Sequence, residues 1–579
     1  MTPDPSELPE TLPAALERAA RSFPAKGIAI FDGRGRRHGR RSWTEVAAAA
    51  RHTAGRWAAL GTVPGDRVLV VLPTCFEWLD AWLGATLVGA YPVAVSPGGG
   101  LGPADAAVRK VEGLVERLGA KHVLARAVFR ESALERGARR TAELTLTPEE
   151  LFGTTPAAFE SPPPEPWDDA FLQLTSGSTG LPRAVRISHR AVLHNARAID
   201  EVIGAPVSAV PVPGGHGGRV GGSPTREWAD ALVSWLPLHH DMGLVGCLVV
   251  SMVAGHDLWL LQPHTFLARP RLWLEHLGKH GQSFAHAPNF GFQLCLERLG
   301  AAEIEGLDLG SWRYAMTGAE MVRPETVAGF CERFAAAGFR PEAFRPCYGL
   351  AEATLAVTLD RQGRGLRTRP LPGKAGGLLD PELQEVASVG EPIPDTSVRI
   401  VAPDGRTLAD GEVGEVRVSG PGVFSGYWND AEATAEALVE SGPERELRTG
   451  DLGFLHGGEL YFTGRTKDLL IVRGNNVMPH EIEWLAENVT GGGGAARSGA
   501  FSIVHGSQGE QAVVVVESQE RDEEKLGEMA RAIQIEVSEG LGLSLADVRF
   551  VRRGRIPKTT SGKVQRRALR ELYLRGELS

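Results

Sequence analysis

Residues 64–97 read PGDRVLVVLPTCFEWLDAWLGATLVGAYPVAVSP. Arg67–Leu72 is a short apolar run rich in β-branched residues and bounded by turn formers, which predicts a buried strand. From Cys75 to Ala90 the apolar residues recur at helical spacing, and a second short apolar run opens at Tyr91. Strand, helix and strand within about 30 residues is the mark of a parallel βαβ unit. The pattern extends both ways. Helices are expected over 11–22 and 43–60, and the alternation continues through HVLA, a helix, FLQLTSGSTG, a helix and SWLPL to about residue 360. From 386 the texture changes to short alternating runs split by DG and PG turns, such as SVRIVAP and GEVRVSG, which predicts a β-rich subdomain. After GRTKD at 464–468 comes a smaller set: LLIVRG, a helix over 480–488, SIVHG, AVVVVES, a helix over 523–538, VRFVRR and a basic tail. The expected fold class is α/β. A large N-terminal body of parallel-sheet α/β subdomains plus the β-rich subdomain would occupy 1–465, and a small α+β domain 466–579.

Bulk properties narrow the function classes. The chain has 579 residues and a formal charge of −9, with 42% hydrophobic and 23% charged residues, an ordinary globular composition. A prior of about 150 residues per domain gives two to four domains. The longest apolar run, Leu244–Gly255, is about half of a bilayer span and is closed by His256-Asp257, so no membrane span is expected. No basic stretch followed by an apolar one opens the chain, so no signal peptide is expected. Cys75, Cys247, Cys295, Cys331 and Cys347 are odd in number, widely spaced and set mostly among apolar neighbours, which fits free thiols in a reducing compartment. Mild acidity argues against nucleic acid as the partner, and a cytoplasmic protein is the default. Only nine of the 62 basic residues are lysine, and four of these, Lys467, Lys525, Lys558 and Lys563, fall in the last fifth of the chain. Codon bias in a GC-rich genome would account for the scarcity, but not for where the remaining lysines stand.

The strongest local signal for chemistry is LQLTSGSTGLPRAV at 172–185. A strand runs into Thr175, Ser176, Gly177, Ser178, Thr179 and Gly180, where glycines let the backbone turn N–H groups toward phosphate oxygens and hydroxyls add donors. It is not a Walker A loop, because no G-x-x-x-x-G-K-[ST] string occurs. Alone, such a loop is as readily a plain Ser/Gly turn. Seven blocks succeed it in order: SWLPLHHDMGLVG (234–246), APNFGFQLC (287–295), TGAE (317–320), CYGLAEATL (347–355), RTGDLGF (448–454), GELYFTGRTKDLLIVRGNNVMPHEIE (458–483) and IPKTTSGKVQRR (556–567). From about residue 40 to the C-terminus the set resembles the adenylate-forming superfamily of acyl-CoA synthetases, luciferases and nonribosomal-peptide adenylation domains. HHDMGLVG, APNF…LC, WRYAMTGAE, YGLAEATLAVT and RGNNVMPHEIE resemble its fatty acyl-AMP ligases. The 35 residues between Glu352 and the SVGEP turn at 388–392 are similar to an insertion of those ligases that restrains the C-terminal domain.

The resemblance implies a reaction and its parts. A fatty acid and ATP, with Mg²⁺ as cofactor, would give acyl-adenylate and pyrophosphate, and the acyl group would pass to the phosphopantetheine thiol of a separate acyl carrier protein. Glu352 matches the Mg²⁺ ligand, since a hard cation bridging phosphates takes a carboxylate. Lys563 matches the lysine that bridges carboxylate and α-phosphate, a task suited to a compact ammonium on a flexible stem. Asp451 matches the carboxylate that accepts the ribose hydroxyls, with Arg465 beside it. Tyr348 would stack on adenine, with the backbones of Gly318, Ala319 and Glu320 and of Gly349, Leu350 and Ala351 lining the nucleotide. His240 would sit near the acyl carboxylate, with Asp241, Met242 and Gly243 at the acyl entrance. His239 and His240, read as neighbours on a strand, would point to opposite faces, which disfavours a shared metal. Lys467 matches the hinge about which the mobile C-terminal domain rotates. The tail from Arg552 to Arg575 carries nine basic residues against Glu571 alone, a surface for an acidic carrier protein, for coenzyme A phosphates, or for solvent.

Two features depart from the family pattern. The phosphate loop continues into Pro182-Arg183-Ala184 where the family has P-K-G, so an arginine fork replaces an ammonium. No carrier-protein segment with a D-S-L-type serine comes after the last domain, so an acceptor would be another chain. A fatty acyl-CoA synthetase shares every adenylation residue and stays open as a reading. So does a catalytically dead nucleotide- or acyl-AMP-binding protein, against which Glu352, Asp451 and Lys563 all argue.

Overall fold

Arg67–Val71, Phe76–Leu87 and Tyr91–Ala94 form strand, helix and strand, and the two strands pair in parallel from Arg67↔Tyr91 to Val70↔Ala94. The computed structural model describes residues 9–98, 104–175, 182–204, 231–280, 283–361, 363–372, 385–441, 444–472, 475–491, 497–504, 510–558 and 563–578. The βαβ unit sits inside a seven-stranded sheet whose order is Gly426–Tyr427, Ala184–Ser188, Asp169–Leu174, Tyr91–Ala94, Arg67–Val71, His122–Ala125 and Thr145–Leu146. A second sheet of nine strands runs in the order Glu391–Pro392, Ala356–Leu359, Phe344–Gly349, Trp312–Thr317, Ser283–Ala287, Ala231–Ser234, Asp257–Leu260, Gly27–Phe31 and Arg37–Ser42. Its six inner strands, from Phe344–Gly349 to Gly27–Phe31, are all parallel. The fold is mixed α/β, and one apolar cluster fills the space between the two sheets and their helices. Six tryptophans, Trp43, Trp57, Trp78, Trp82, Trp273 and Trp312, are fully buried.

The β-rich subdomain is a five-stranded antiparallel sheet built from Ser397–Val401, Gly414–Ser419, Leu438–Ser441, Glu444–His456 and Glu459–Arg465. Before it, Thr368–Pro370 pairs antiparallel with Glu385–Ala387 at the base of the 35-residue insertion, whose residues 373–384 lie outside the described set. Arg364 and Arg367 tie that base to the buried Glu459 carboxylate, which also accepts from Ser388 Oγ at 2.7 Å. Residues 470–578 make a three-stranded sheet of Ser498–Val504, Glu510–Glu517 and Leu545–Val551, with apolar clusters of their own. Helices Pro479–Val489, Glu523–Leu541 and Arg566–Leu574 pack on it.

Two expectations are corrected. The Ser/Gly loop does not lead into a helix. It leads into strand Ala184–Ser188, which returns antiparallel to Asp169–Leu174, and the helix begins only at His189. Val185, Arg186, Ile187 and Ser188 alternate apolar and polar side chains, a period of two that belongs to a strand, and all but Arg186 are buried. His239 and His240 are not on a strand. Strand Ala231–Ser234 ends earlier, and the pair lies in the turn before a short helix at Asp241–Gly243, so strand alternation says nothing of where their rings point. The apolar run from Leu244 is a π-helix over Leu244–Val249 continued by an α-helix over Val250–Ala254, all buried. An unbroken apolar run carries no periodicity from which such a winding could be read. Among the described residues, no helix is long and apolar enough to cross a membrane.

The tryptophan core is the test of this architecture. Trp273 is 0% exposed, meets the rings of Trp235, Phe266, Phe292 and Trp312, and donates its Nε1–H to Val233 O at 3.2 Å. Trp273→Ala removes that packing and leaves a carbonyl unpaired, so a loss of about 3–5 kcal/mol is expected. Urea titration monitored by circular dichroism reads the loss as a lower midpoint, and an unchanged midpoint would count against a core organised on this ring.

Candidate active site

The parallel strands of the nine-stranded sheet end on one side, and each carboxyl end delivers part of a site. After Ala231–Ser234 come His239–Gly243; after Ser283–Ala287 come Asn289 and Phe290; after Trp312–Thr317 come Gly318–Glu320; after Phe344–Gly349 come Leu350–Glu352. Clefts at the carboxyl ends of parallel strands are where α/β sheets bind ligands, because each successive turn there is free to carry polar groups. Two glycines are required by close approach. A Cβ at Gly318 would stand 2.8 Å from Cys347 O, and one at Gly349 would stand 1.7 Å from Leu355 O. Ala319 holds a positive φ of 67°, a costly conformation for alanine and one that clusters at functional turns.

Asp451 lies within strand Glu444–His456, opposite Arg465 on the next strand, and is 2% exposed. Its Oδ2 accepts from Tyr348 Oη at 2.6 Å, and its Oδ1 faces Arg465 Nε at 3.0 Å without hydrogen-bond alignment. Burial raises the Asp451 carboxyl, against the pull of Arg465, Tyr348 and Lys563. Tyr348 is held well above its ordinary value by burial and by Asp451, and its ring stacks on Phe462 at 5.6 Å. Glu352 stands in the short 3₁₀ turn Ala351–Ala353, where its Oε1 accepts from Tyr427 Oη at 2.8 Å. Burial raises this carboxyl too. Glu320 accepts from the Phe290 N–H at 2.5 Å and is likewise raised by burial, with Lys563, Arg323 and Lys558 opposing.

His240 and Asp241 are a contact pair, Nδ1 to Oδ1 at 2.7 Å, and the Met242 N–H donates to the same Asp241 oxygen at 2.7 Å. Burial works to raise the Asp241 carboxyl, but the charges of His240 and Lys563 and its hydrogen bonds hold it below the ordinary value. Met242 is buried, and Gly243 packs against Pro237 O. His239 is pushed down to about 3, first by burial and then by the cations His240 and Lys110. Its carbonyl accepts from Gln173 Nε2 at 3.3 Å, which ties the turn to the strand that ends at the Ser/Gly loop.

Lys563 closes the arrangement from the far end of the chain. Burial and the neighbouring Arg465 lower its ammonium below the ordinary lysine value, while Asp241, Glu320 and Asp451 work to raise it. A cation from the C-terminal segment thus stands within electrostatic reach of carboxylates from three separate segments of the N-terminal body. Of the phosphate loop, Ser176, Gly177, Ser178, Thr179 and Gly180 lie outside the described residues. Its base is closed by Thr175 and Arg183, whose backbones pair at 3.0 Å while the Arg183 N–H donates to Thr175 Oγ1 at 3.2 Å. The Arg183 guanidinium lies 5.2 Å from the centre of the Tyr427 ring and 3.7 Å from Asp430 Oδ2. Lys467 stands apart, exposed on the 3₁₀ turn Thr466–Asp468. Sequence reasoning missed Tyr427, the hydroxyl that joins Glu352 to the Arg183 side of the site. Its only signal was an aromatic in the GYW turn paired to strand Ala184–Ser188.

Glu352 fits a divalent cation that is completed by ligand phosphates. Its carboxylate is buried and raised, and among the described residues no group of three His, Cys, Asp or Glu could enclose a metal by itself. Asp451 Oδ1, buried and without a hydrogen-bond partner, fits a hydroxyl donor from a ligand.

Residues 16–428 match a family model described as AMP-binding enzyme. A Caulobacter vibrioides protein named as an acyl-CoA synthetase is 31% identical over 578 residues, covering 98% of this chain and 96% of its own. The medium-chain-fatty-acid–[acyl-carrier-protein] ligase JamA of Moorena producens is 35% identical over 427 residues, covering 71% and 68%. A solved structure from work on fatty acyl-adenylate ligases of E. coli and L. pneumophila superposes with a TM-score of 0.84 at 30% identity, covering 98% of both chains.

The raised carboxyls make a prediction about stability. A folded-state value above the unfolded one means that the protonated form is favoured by folding, so ionised Glu352 weighs against the fold at neutral pH. Glu352→Gln keeps the acceptor for Tyr427 and removes the charge. Resistance to urea is expected to rise at pH 7 by on the order of 1 kcal/mol, and the gain to shrink as pH falls toward 4.5. A loss of stability that is equal at both pH values would contradict the electrostatic account.

Proposed function

The chain belongs to the AMP-binding enzyme family, and from that membership we propose that it is a fatty acyl-AMP ligase that delivers its product to a carrier protein. In the first half-reaction a fatty-acid carboxylate oxygen attacks the α-phosphorus of ATP. The bond to the bridging β-phosphate oxygen breaks, and pyrophosphate leaves. In the second, a phosphopantetheine sulfur attacks the acyl carbon, the bond to the AMP oxygen breaks, AMP leaves and the thiol proton passes to solvent. The observation that carries this reading is the Asp451 carboxylate fixed by Tyr348 at 2.6 Å and faced by Arg465 at 3.0 Å, with Lys563 within electrostatic reach of it and of Asp241 and Glu320.

Each residue has a task that its surroundings support. Lys563 draws the incoming carboxylate and the α-phosphate together, where a preorganised cation in a dry site lowers the cost of building negative charge. Asp451, with Oδ1 open and Oδ2 fixed by Tyr348, accepts the ribose hydroxyls, and Arg465 holds it in place. Tyr348 and the Gly318–Glu320 and Gly349–Ala351 backbones line the base. Glu352 would hold Mg²⁺, which when bound neutralises phosphate charge. His240, anchored on Asp241, orients the acyl carboxylate, with Met242 and Gly243 behind it. Thr175 with the Ser176–Gly180 loop, backed by Arg183, receives the β- and γ-phosphates. Lys467 is the hinge between the body, residues 1–465, and a mobile C-terminal domain, residues 466–579, and the insertion base at Glu459 restrains that motion. The acceptor reading is supported by the name of JamA, whereas the Caulobacter relative's name favours coenzyme A. Use of ATP and five free thiols support a cytoplasmic site of action.

The enzyme incubated with ATP, fatty acids, coenzyme A and a holo carrier protein should load the carrier and form little acyl-CoA; robust acyl-CoA with an unloaded carrier would sink the carrier reading. Lys563→Ala is expected to lower acid-dependent ATP–pyrophosphate exchange about 10²–10³-fold while retaining ATP binding by calorimetry. Because burial lowers Lys563, the exchange rate should fall on the alkaline side before the ordinary lysine value of 10.5. Lys563→Arg, weak but always charged, should lose that alkaline limb.

A further inference from the structure

Two ion pairs hold the C-terminal segment against the N-terminal body at positions far in sequence from Lys467. Arg323 Nη1 lies 2.7 Å from Glu487 Oε2, and Arg497 Nη2 lies 2.7 Å from Glu297 Oε2. The first is the drier, with the Glu487 side chain 2% exposed. Arg323 is fixed from its own side: it precedes helix Pro324–Phe334, and its backbone N–H donates to Asn289 Oδ1 at 3.0 Å. Its guanidinium also sits 5.1 Å from the centre of the Trp484 ring. Trp484 and Glu487 are three residues apart on helix Pro479–Val489, so one helical face offers an aromatic surface and a carboxylate together. Glu487 is committed on its other oxygen as well, where Oε1 accepts from Ser498 N at 3.1 Å and Ser498 Oγ at 2.8 Å.

The same helix reaches the catalytic lysine. Glu483, one turn before Glu487, takes both Nε and Nη2 of Arg566 at 2.7 Å, and Arg566 lies three residues after Lys563. Its other tie is backbone, since the Ala500 N–H donates to Glu483 Oε1 at 2.9 Å. On the body side, Arg323 and Asn289 belong to the two turns that hold Glu320, which accepts from Phe290 N–H. A continuous chain of contacts therefore runs from the Glu320 turn through Arg323, Glu487, the helix, Glu483 and Arg566 to Lys563.

We propose that Arg323 is a positioning residue: by gripping Glu487 and Trp484 it seats helix Pro479–Val489 and, through the Glu483–Arg566 pair, keeps Lys563 in the site. The proposal rests on the reading of Lys563 as the lysine of the adenylation half-reaction. The grip is reversible because separation returns both charges to water, and that hydration offsets much of the attraction lost. Arg323 therefore matters to the first half-reaction and not to the second, for which the C-terminal segment is free to leave.

The test separates the two half-reactions. Arg323→Ala is expected to lower acid-dependent ATP–pyrophosphate exchange about tenfold, with no fall in the thiol-dependent consumption of supplied acyl-adenylate. Arg323→Lys, which keeps the charge but not the planar stack, should fall between the two. Arg497→Glu should lower exchange in the same selective way, and adding Glu297→Arg should restore it; this swap decides the matter if Arg323→Ala fails to fold. Equal losses in both half-reactions, or unchanged exchange, would overturn the proposal. Wild-type protein without acid-dependent exchange would instead sink the ligase reading. The grip is then read by hydrogen exchange, where unchanged protection of Pro479–Val489 in Arg323→Ala rejects it.

Discussion

An ammonium within electrostatic reach of three carboxylates is the interaction on which the rest of this structure depends. Asp241, Glu320 and Asp451 come from segments separated by 79 and 131 residues, and Lys563 comes from 112 residues further on. Taken alone, each buried carboxylate is costly, because desolvation acts on the charged form and grows as water is excluded. Glu320 and Asp451 remain raised even with Lys563 beside them, whereas Asp241 is lowered, having His240 as a second cation. The cleft is thus under-compensated at Glu320, Glu352 and Asp451. A ligand bringing hydroxyl donors and a cation relieves that deficit, so the resting protein gives up stability that binding returns.

The fold exists to bring these groups to one place. Parallel strands put all their carboxyl ends on one side, and in the nine-stranded sheet four consecutive ends each contribute one polar turn. The antiparallel five-stranded sheet supplies Asp451 and Arg465 by cross-strand pairing, which fixes their separation by register alone. The C-terminal elements supply Lys563, and ion pairs help to seat them: Glu483 and Glu487 on one helix each take an arginine, one within the unit and one across the joint. Charged groups that hydrate on separation suit a joint that must open in every turnover of the proposed cycle.

How much of this was legible in the sequence depended on the range of the interactions. The βαβ unit at 67–94 was readable because strand length, helix period and turn residues are all local. The C-terminal order was readable for the same reason, to within a residue or three at most ends. Glu352, Asp451 and Lys563 were singled out through their flanking motifs, and Lys563 stands within electrostatic reach of Asp451. The hairpin around the Ser/Gly loop was not, because glycine and serine break a helix and a strand alike, and only the alternation in AVRIS marks the next element as a strand. The π-helix at Leu244–Val249 was hidden by a run with no polar residue to mark its face. Tyr427 and Arg323 were invisible for a different reason: each acts through a partner far away, 75 residues off for Glu352 and 164 for Glu487, and no local pattern encodes such a pairing.

The scarcity of lysine takes on a physical meaning at this site. With nine lysines among 62 basic residues, arginine is the default cation, and Arg566 shows what its planar fork does well, matching the Glu483 carboxylate in two places. That match is a reason for lysine at 563. A guanidinium there would have stable bidentate partners in Asp241, Glu320 or Asp451, and a cation locked to one protein carboxylate is not available to a substrate. Arg465 already fills that structural role beside Asp451. Lys563 lies within electrostatic reach of three carboxylates, and its stem allows a compact ammonium to move as charge develops. Its value to the proposed reaction lies in that freedom, which arginine, the residue this chain otherwise prefers, would replace with a fixed pair.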